Sequence, residues 1–158
     1  TDDAVRDVLS KVMGRLVSVA SSDPSGPDAA EPDGAGPGVL ADYGVDDGPV
    51  AVCCFADVRL TNALGAVLTS EPAAEVETAV AEGRIADATV ENWNEIVNQL
   101  GRLLNSPDTP TLRLRGVVRM PGDVPPESAA LLAQPSARRT FDVTVDEYGT
   151  GTLSLAIL

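Results

Sequence analysis

The chain has 158 residues, 11 basic against 24 acidic side chains, a net charge of -13, no histidine, two cysteines and a single tryptophan. That length suits a single domain over residues 1–158, and 44% apolar residues suffice to build a core. The lack of histidine excludes Ser-His-Asp and Cys-His nucleophilic machinery, an imidazole general base and histidine metal ligands. Strong acidity with few aromatics also argues against nucleic acid, which selects basic grooves and stacking platforms, and against anionic membranes.

Along the chain, Val5, Val8, Leu9, Val12, Met13, Leu16 and Val17 recur at helical spacing, which predicts an amphipathic helix over Asp2–Ala20 that covers a sheet. Nothing in this segment resembles a signal peptide, and the longest apolar run, Val50 to Ala56, is far short of the ~20 residues that span a bilayer. The expectation is a cytoplasmic protein. Ser21–Pro49 carries five prolines, six glycines, seven carboxylates and no basic residue, and reads as a long acidic loop at about 21–49. Within it, Tyr43 with Val39 and Leu40 either anchors the loop or forms a short strand. Its carboxylates lack the alternating ligands and closing glutamate of a calcium loop.

Val50–Val58 and Ala63–Thr69 read as strands joined by a turn at Arg59–Asn62. Adjacent Cys53 and Cys54 cannot brace distant parts of the chain, and read as buried free thiols. Ser70 is placed to cap a helix running through Ala73 to Gly83. A stronger helix opens at Asp87 or Thr89 and runs to Leu104, where Asn105-Ser-Pro-Asp-Thr-Pro110 stops it.

Thr111–Met120 alternates as a strand, with Leu112, Leu114, Gly116, Val118 and Met120 on one face and Arg113, Arg115, Val117 and Arg119 on the other. The arginines are expected to pair with the chain's own carboxylates or to lie solvated, the alternative being that they bind acidic groups on a partner. A short helix over Glu127–Ala133 precedes a hairpin of Phe141–Val145 and Thr152–Ile157. Short turns between neighbouring strands predict a largely antiparallel sheet with helices gathered on a face, an α+β fold.

The Val90–Leu104 helix carries the functional signal. Val90, Trp93, Ile96, Val97, Leu100, Leu103 and Leu104 form its apolar stripe, while Glu91, Glu95, Asn98 and Arg102 fall within about 60° of one another on another side. Glu95 and Asn98, three apart, are surface neighbours. By itself a Glu-x-x-Asn pair is ordinary on a solvated face.

The longer pattern resembles the active-site helix of the CheC/CheX/FliY family of chemotaxis phosphatases. That family carries Asp or Ser, three residues, Glu, two residues, Asn, then twenty-two residues and Pro. Here Glu95-Ile-Val-Asn98 supplies the core, and Pro121 follows Asn98 after twenty-two intervening residues. Glu91 stands where the family has Asp or Ser. One such site is present, since Glu75-Val-Glu-Thr78 fails at its fourth position, so the chain looks most like single-site CheX. The order of elements, closing on Phe-Asp-Val-Thr-Val, is similar across most of the chain.

The resemblance implies hydrolysis of the aspartyl phosphate of a CheY-like response regulator. Asn98 would orient the attacking water and Glu95 would dock the partner's lysine, with Glu91, Arg102 and Pro121 at the partner-binding surface. It implies no cofactor on this chain, the Mg2+ belonging to the receiver domain. A non-catalytic adaptor or switch-complex component on the same fold is the alternative. CheX-like proteins also pair through sheet edges, so a homodimer through the closing run Leu153–Leu158 stands beside an ordinary covered strand.

Overall fold

The computed structural model describes residues 17–22, 36–105, 107–108 and 110–158. In chain order these form β1 (Val17–Ser22), β2 (Gly38–Val45), β3 (Val50–Asp57), α1 (Val58–Thr69), α2 (Ala73–Glu82), α3 (Asp87–Leu104), β4 (Leu112–Met120), α4 (Pro126–Ala133), β5 (Ala137–Val145) and β6 (Gly149–Ile157). The six strands make one sheet in the order β1-β5-β6-β3-β2-β4, and every neighbouring pair is antiparallel. The α+β expectation holds.

The sheet buries both faces. On one, Val39, Ala41, Tyr43, Val52, Cys54, Ala56 and Val143 pack against Leu60, Leu64, Val76, Trp93, Ile96 and Val97 of α1, α2 and α3. On the other, Leu40, Val50, Cys53, Met120 and Ala156 pack against Leu131 of α4. The helices are therefore not all on one face. Cys53 and Cys54 follow the two-residue period of a strand onto opposite faces, and both are buried free thiols.

Several expectations need correction. The predicted helix over Asp2–Ala20 lies mostly outside the described residues, but its end, Val17–Ala20, is strand, paired with β5 from Val17↔Val145 to Ser22↔Thr140. The loop expected at 21–49 contains β2, one of the most thoroughly buried strands, since its glycines and carboxylates mask an apolar Gly-Val-Leu-Ala-Asp-Tyr run. Ala63–Thr69 is helix, the second half of α1. Leu60, Ala63, Leu64 and Val67 share the core-facing side at helical spacing, and the polar members are satisfied by hydrogen bonding. Thr61 Oγ1 donates to the Ala56 carbonyl at 3.3 Å, and Asn62 Nδ2 to the carbonyls of Val58 and Arg84 at 2.9 and 3.0 Å. Ser70 closes α1 in the left-handed conformation instead of opening α2, which follows Pro72.

In β4, a register shift opposite Asp42/Tyr43 splits the expected faces: Leu112, Leu114 and Val117 join the larger core, Val118 and Met120 the smaller. The three arginines do reach the chain's own carboxylates, Arg113–Asp46 at 3.4 Å, Arg115–Glu127 at 3.7 Å and Arg119–Asp87 at 2.6 Å. The closing run through Leu153 lies in β6, a covered strand between β5 and β3; the sheet's outer strands are β1 and β4.

Candidate functional site

Helix α3 is held from behind and at both ends. Its buried stripe is Trp93, Ile96, Val97 and Leu100. Trp93 Nε1 donates to the Thr61 carbonyl of α1 at 2.9 Å, and the Tyr43 hydroxyl of β2 donates to the Val97 carbonyl at 2.6 Å. At the N-terminal end, Arg119 of β4 bonds both Asp87 (2.6 Å) and the Ile85 carbonyl (2.9 Å). At the C-terminal end Asn105 clamps the start of β4: its amide donates to the Leu112 carbonyl at 3.1 Å and its oxygen accepts from the Leu112 N–H at 2.6 Å. Asp87 in the first turn and Arg102 in the last also match the helix dipole.

This mounting leaves Glu91, Asn94, Glu95, Asn98 and Arg102 exposed on the side away from the core. Glu95 accepts a hydrogen bond from Gln99 Nε2 at 2.8 Å, one turn along. Among the described residues the side chains of Asn98 and Arg102 have no hydrogen bond or ion pair. Both line a cleft of about 280 Å³ between the C-terminal half of α3 and the first residues of β4, with Tyr43, Gly101, Asn105, Leu112, Arg113 and Leu114. Gly101, in the last turn of α3, is buried, and a Cβ there would lie 3.0 Å from Tyr43 Cε1. The ring thus rests against bare helix backbone and forms the cleft floor.

The structure brings Glu91, Glu95, Asn98 and Arg102 onto one surface. Pro121 lies beyond the end of β4 that meets the N-terminal end of α3, away from Asn98. Pro121 follows a cis peptide after Met120 at the far end of β4, two residues beyond the Arg119 that grips Asp87. Asn98 faces Leu112 and Leu114 at the opposite end, and the seven residues from Leu114 to Pro121 span about 23 Å of strand. Sequence reading missed Asn105 and Gly101 as lining residues. The glycine interrupting a strongly apolar helix was the available signal.

The described residues contain no group of three or more Cys, Asp or Glu side chains placed to hold a metal ion, and no helix long and apolar enough to cross a membrane.

No protein-family model matches the sequence, and no curated protein matches it either. Solved structures do match the fold. The FliM middle domain from H. pylori superposes with a TM-score of 0.64 at 11% identity, covering 99% of this chain and 86% of that one. The FliG–FliM complex from H. pylori gives 0.63 at 11% identity, with 99% and 85% covered. FliY from Thermotoga maritima gives 0.61 at 12% identity, with 98% and 82% covered. The chain therefore has the fold shared by the FliM middle domain and FliY.

Proposed function

We propose that the chain is a phosphatase acting on the aspartyl phosphate of a CheY-like response regulator, from the cytoplasm and through a single CheX-like site. The observation that carries this reading is the open presentation of Glu95 and Asn98, one turn apart, on a helix fixed by Trp93 and Tyr43. An acyl phosphate is an activated mixed anhydride, so its hydrolysis needs an oriented water and charge stabilisation more than covalent catalysis. The unbonded Asn98 amide is available to hold that water without adding negative charge beside the phosphate. Glu95 exchanges its contact with Gln99 for a lysine of the partner. The Mg2+ of the reaction belongs to the receiver domain, and this chain supplies no cofactor.

The second reading is a non-catalytic adaptor or switch-complex component that docks a receiver domain. Two observations favour it. Glu91 sets a second carboxylate one turn before Glu95, and the fold matches FliM middle domains, one of them solved with FliG. Timed loss of phosphate from a panel of phosphorylated receiver domains separates the readings. The phosphatase accelerates loss for at least one of them, and Asn98→Ala abolishes the acceleration while the protein stays folded. Binding without acceleration leaves the adaptor.

A further inference from the structure

Tyr43 stands at an irregularity in the sheet. Along β3, Val52 pairs with Tyr43 and Val50 with Gly44, leaving Ala51 as an extra residue. Along β4, Gly116 pairs with Asp42 and Leu114 with Tyr43, leaving Arg115 as an extra residue. Both neighbours of β2 are thus bulged at the same point, and a bulge disrupts the ladder locally and re-aims a side chain. The side chain at that point is Tyr43, which holds the Val97 carbonyl, packs on Gly101 and lines the cleft with Asn98.

The first turn of α4, on the far side of the sheet from α3, grips all three strands around this point. The buried Ser128 hydroxyl donates to Asp42 Oδ2 of β2 at 2.7 Å. Glu127 Oε2 accepts from the Val50 N–H of β3 at 3.3 Å and meets Arg115 Nη1 of β4 at 3.7 Å. Arg115 in turn donates to the Asp46 carbonyl at 2.9 Å and to that of Gly48, which fixes the turn between β2 and β3. Helix α4 therefore supplies fixed contacts where the ladder is broken. Asp42 and Tyr43 are consecutive and face opposite sides of the sheet, so they connect the two helices through one peptide unit.

The form of the Asp42 contact is a second observation. Its carboxylate is buried, and Oδ1 has no partner among the described residues. A buried polar pair left partly unsatisfied contributes little net stability compared with an apolar pair of similar shape. What it does contribute is one defined seat for α4.

We propose that Ser128 and Glu127 are positioning residues for the site on the other face of the sheet. The seating of α4 on Asp42, Val50 and Arg115 sets the bulged segment of β2. Tyr43 then passes that setting to Val97 and Gly101, on either side of Asn98. The assignment rests on the proposed function only in taking Asn98 as the reacting amide.

The test reads native-state NMR resonances of the intact chain, which report position and not stability. Ser128→Ala moves the backbone amide resonances of residues 97–101 and the side-chain amide of Asn98, and leaves those of α2 in place. Asp42→Asn, whose amide oxygen still accepts from Ser128, restores the resonances to their places in the unaltered chain. Tyr43→Phe moves the same resonances, and adding Ser128→Ala to it moves them little further, because the link runs through the tyrosine hydroxyl. Where a receiver is dephosphorylated, Ser128→Ala lowers kcat about fivefold with KM retained, since the exposed side of α3 is unaltered. Should Ser128→Ala fail to fold, Glu127→Ala, at an exposed position, gives the same reading alone. Unmoved resonances of residues 97–101 in the folded variants overturn the positioning, whatever happens to stability. The resonances need no receiver, so absence of turnover by the unaltered chain overturns the proposed phosphatase alone.

Discussion

The hydroxyl of Tyr43 donates to the carbonyl oxygen of Val97 at 2.6 Å, tying the centre of β2 to the residue that immediately precedes Asn98. Tyr43 is buried, and burial pushes its ionisation far above the ordinary tyrosine range. Its ring lies against Gly101 one turn later, so a single side chain sets both the rotation of α3 and the floor of the cleft.

Tyr43→Phe therefore loses one buried hydrogen bond and keeps the packing. The expected loss of stability is about 1 kcal/mol, read as a lower urea midpoint at unchanged m. Gly101→Val attacks the same contact by overpacking and is expected to cost more, about 2–3 kcal/mol, because the ring has little room to retreat. Equal midpoints for the two variants would remove the argument that Gly101 exists to admit Tyr43.

Helix α3 was legible in the sequence because its apolar period is strong and Pro107 and Pro110 bar its continuation. The exposed Glu95–Asn98 pair was legible for the same reason: once the buried stripe is assigned, the polar side follows. Ala63–Thr69 was not, since a short apolar run with β-branched residues suits either state, and the decision falls to Asn62 and Thr61 finding partners only after folding. Strand β2 was hidden by composition, because Asp42 reads as a loop residue until Ser128 arrives from α4, 86 positions away, to bond it.

Asp57 joins two elements with one carboxylate. Oδ1 caps α1 by accepting from the Leu60 N–H at 2.8 Å, and Oδ2 accepts from the N–H and hydroxyl of Thr152 at 3.0 and 3.1 Å. Asp57→Ala removes the cap and leaves the Thr152 donors short, with an expected cost of about 2–3 kcal/mol. Gly151→Ala reaches the same site by another route, since its Cβ would lie 2.6 Å from both Asp57 Oδ1 and the Leu60 nitrogen. Because both changes break the same cap, the double variant is expected to lose less than the sum; strict additivity in denaturant titrations would contradict this.

Ser128 provides the test of the second core. Its hydroxyl donates to Asp42 Oδ2 at 2.7 Å, while Asp42 Oδ1 is buried with no partner among the described residues. Ser128→Ala strips the carboxylate of that bond inside the sheet–α4 interface. The expected cost is about 2–3 kcal/mol, and hydrogen exchange should rise first in α4. A loss below about 0.5 kcal/mol, the usual size for a surface substitution, would mean that this bond does not hold α4 to the sheet.

The paired cysteines give a pH dependence with a fixed sign. Burial, with a smaller contribution from neighbouring Cys53, raises the Cys54 thiol from 9.0 to about 12. Burial raises Cys53 to about 11, partly offset by its hydrogen bonding with Ser128 and reinforced by the charge of Asp42. Above pH 9 the unfolded chain releases these protons while the folded chain retains them, so the unfolded state binds fewer protons and stability falls as pH rises. Below pH 9 both states keep the thiols protonated, and their contribution is flat. Urea midpoints are therefore expected to decline between pH 9 and 11, and Cys54→Ala should flatten part of that decline. At pH 8 neither thiol of the native protein should react with a disulfide reagent at the rate of free cysteine, and both should react once urea unfolds the chain. Rapid labelling of either thiol in the native state would place it outside the core.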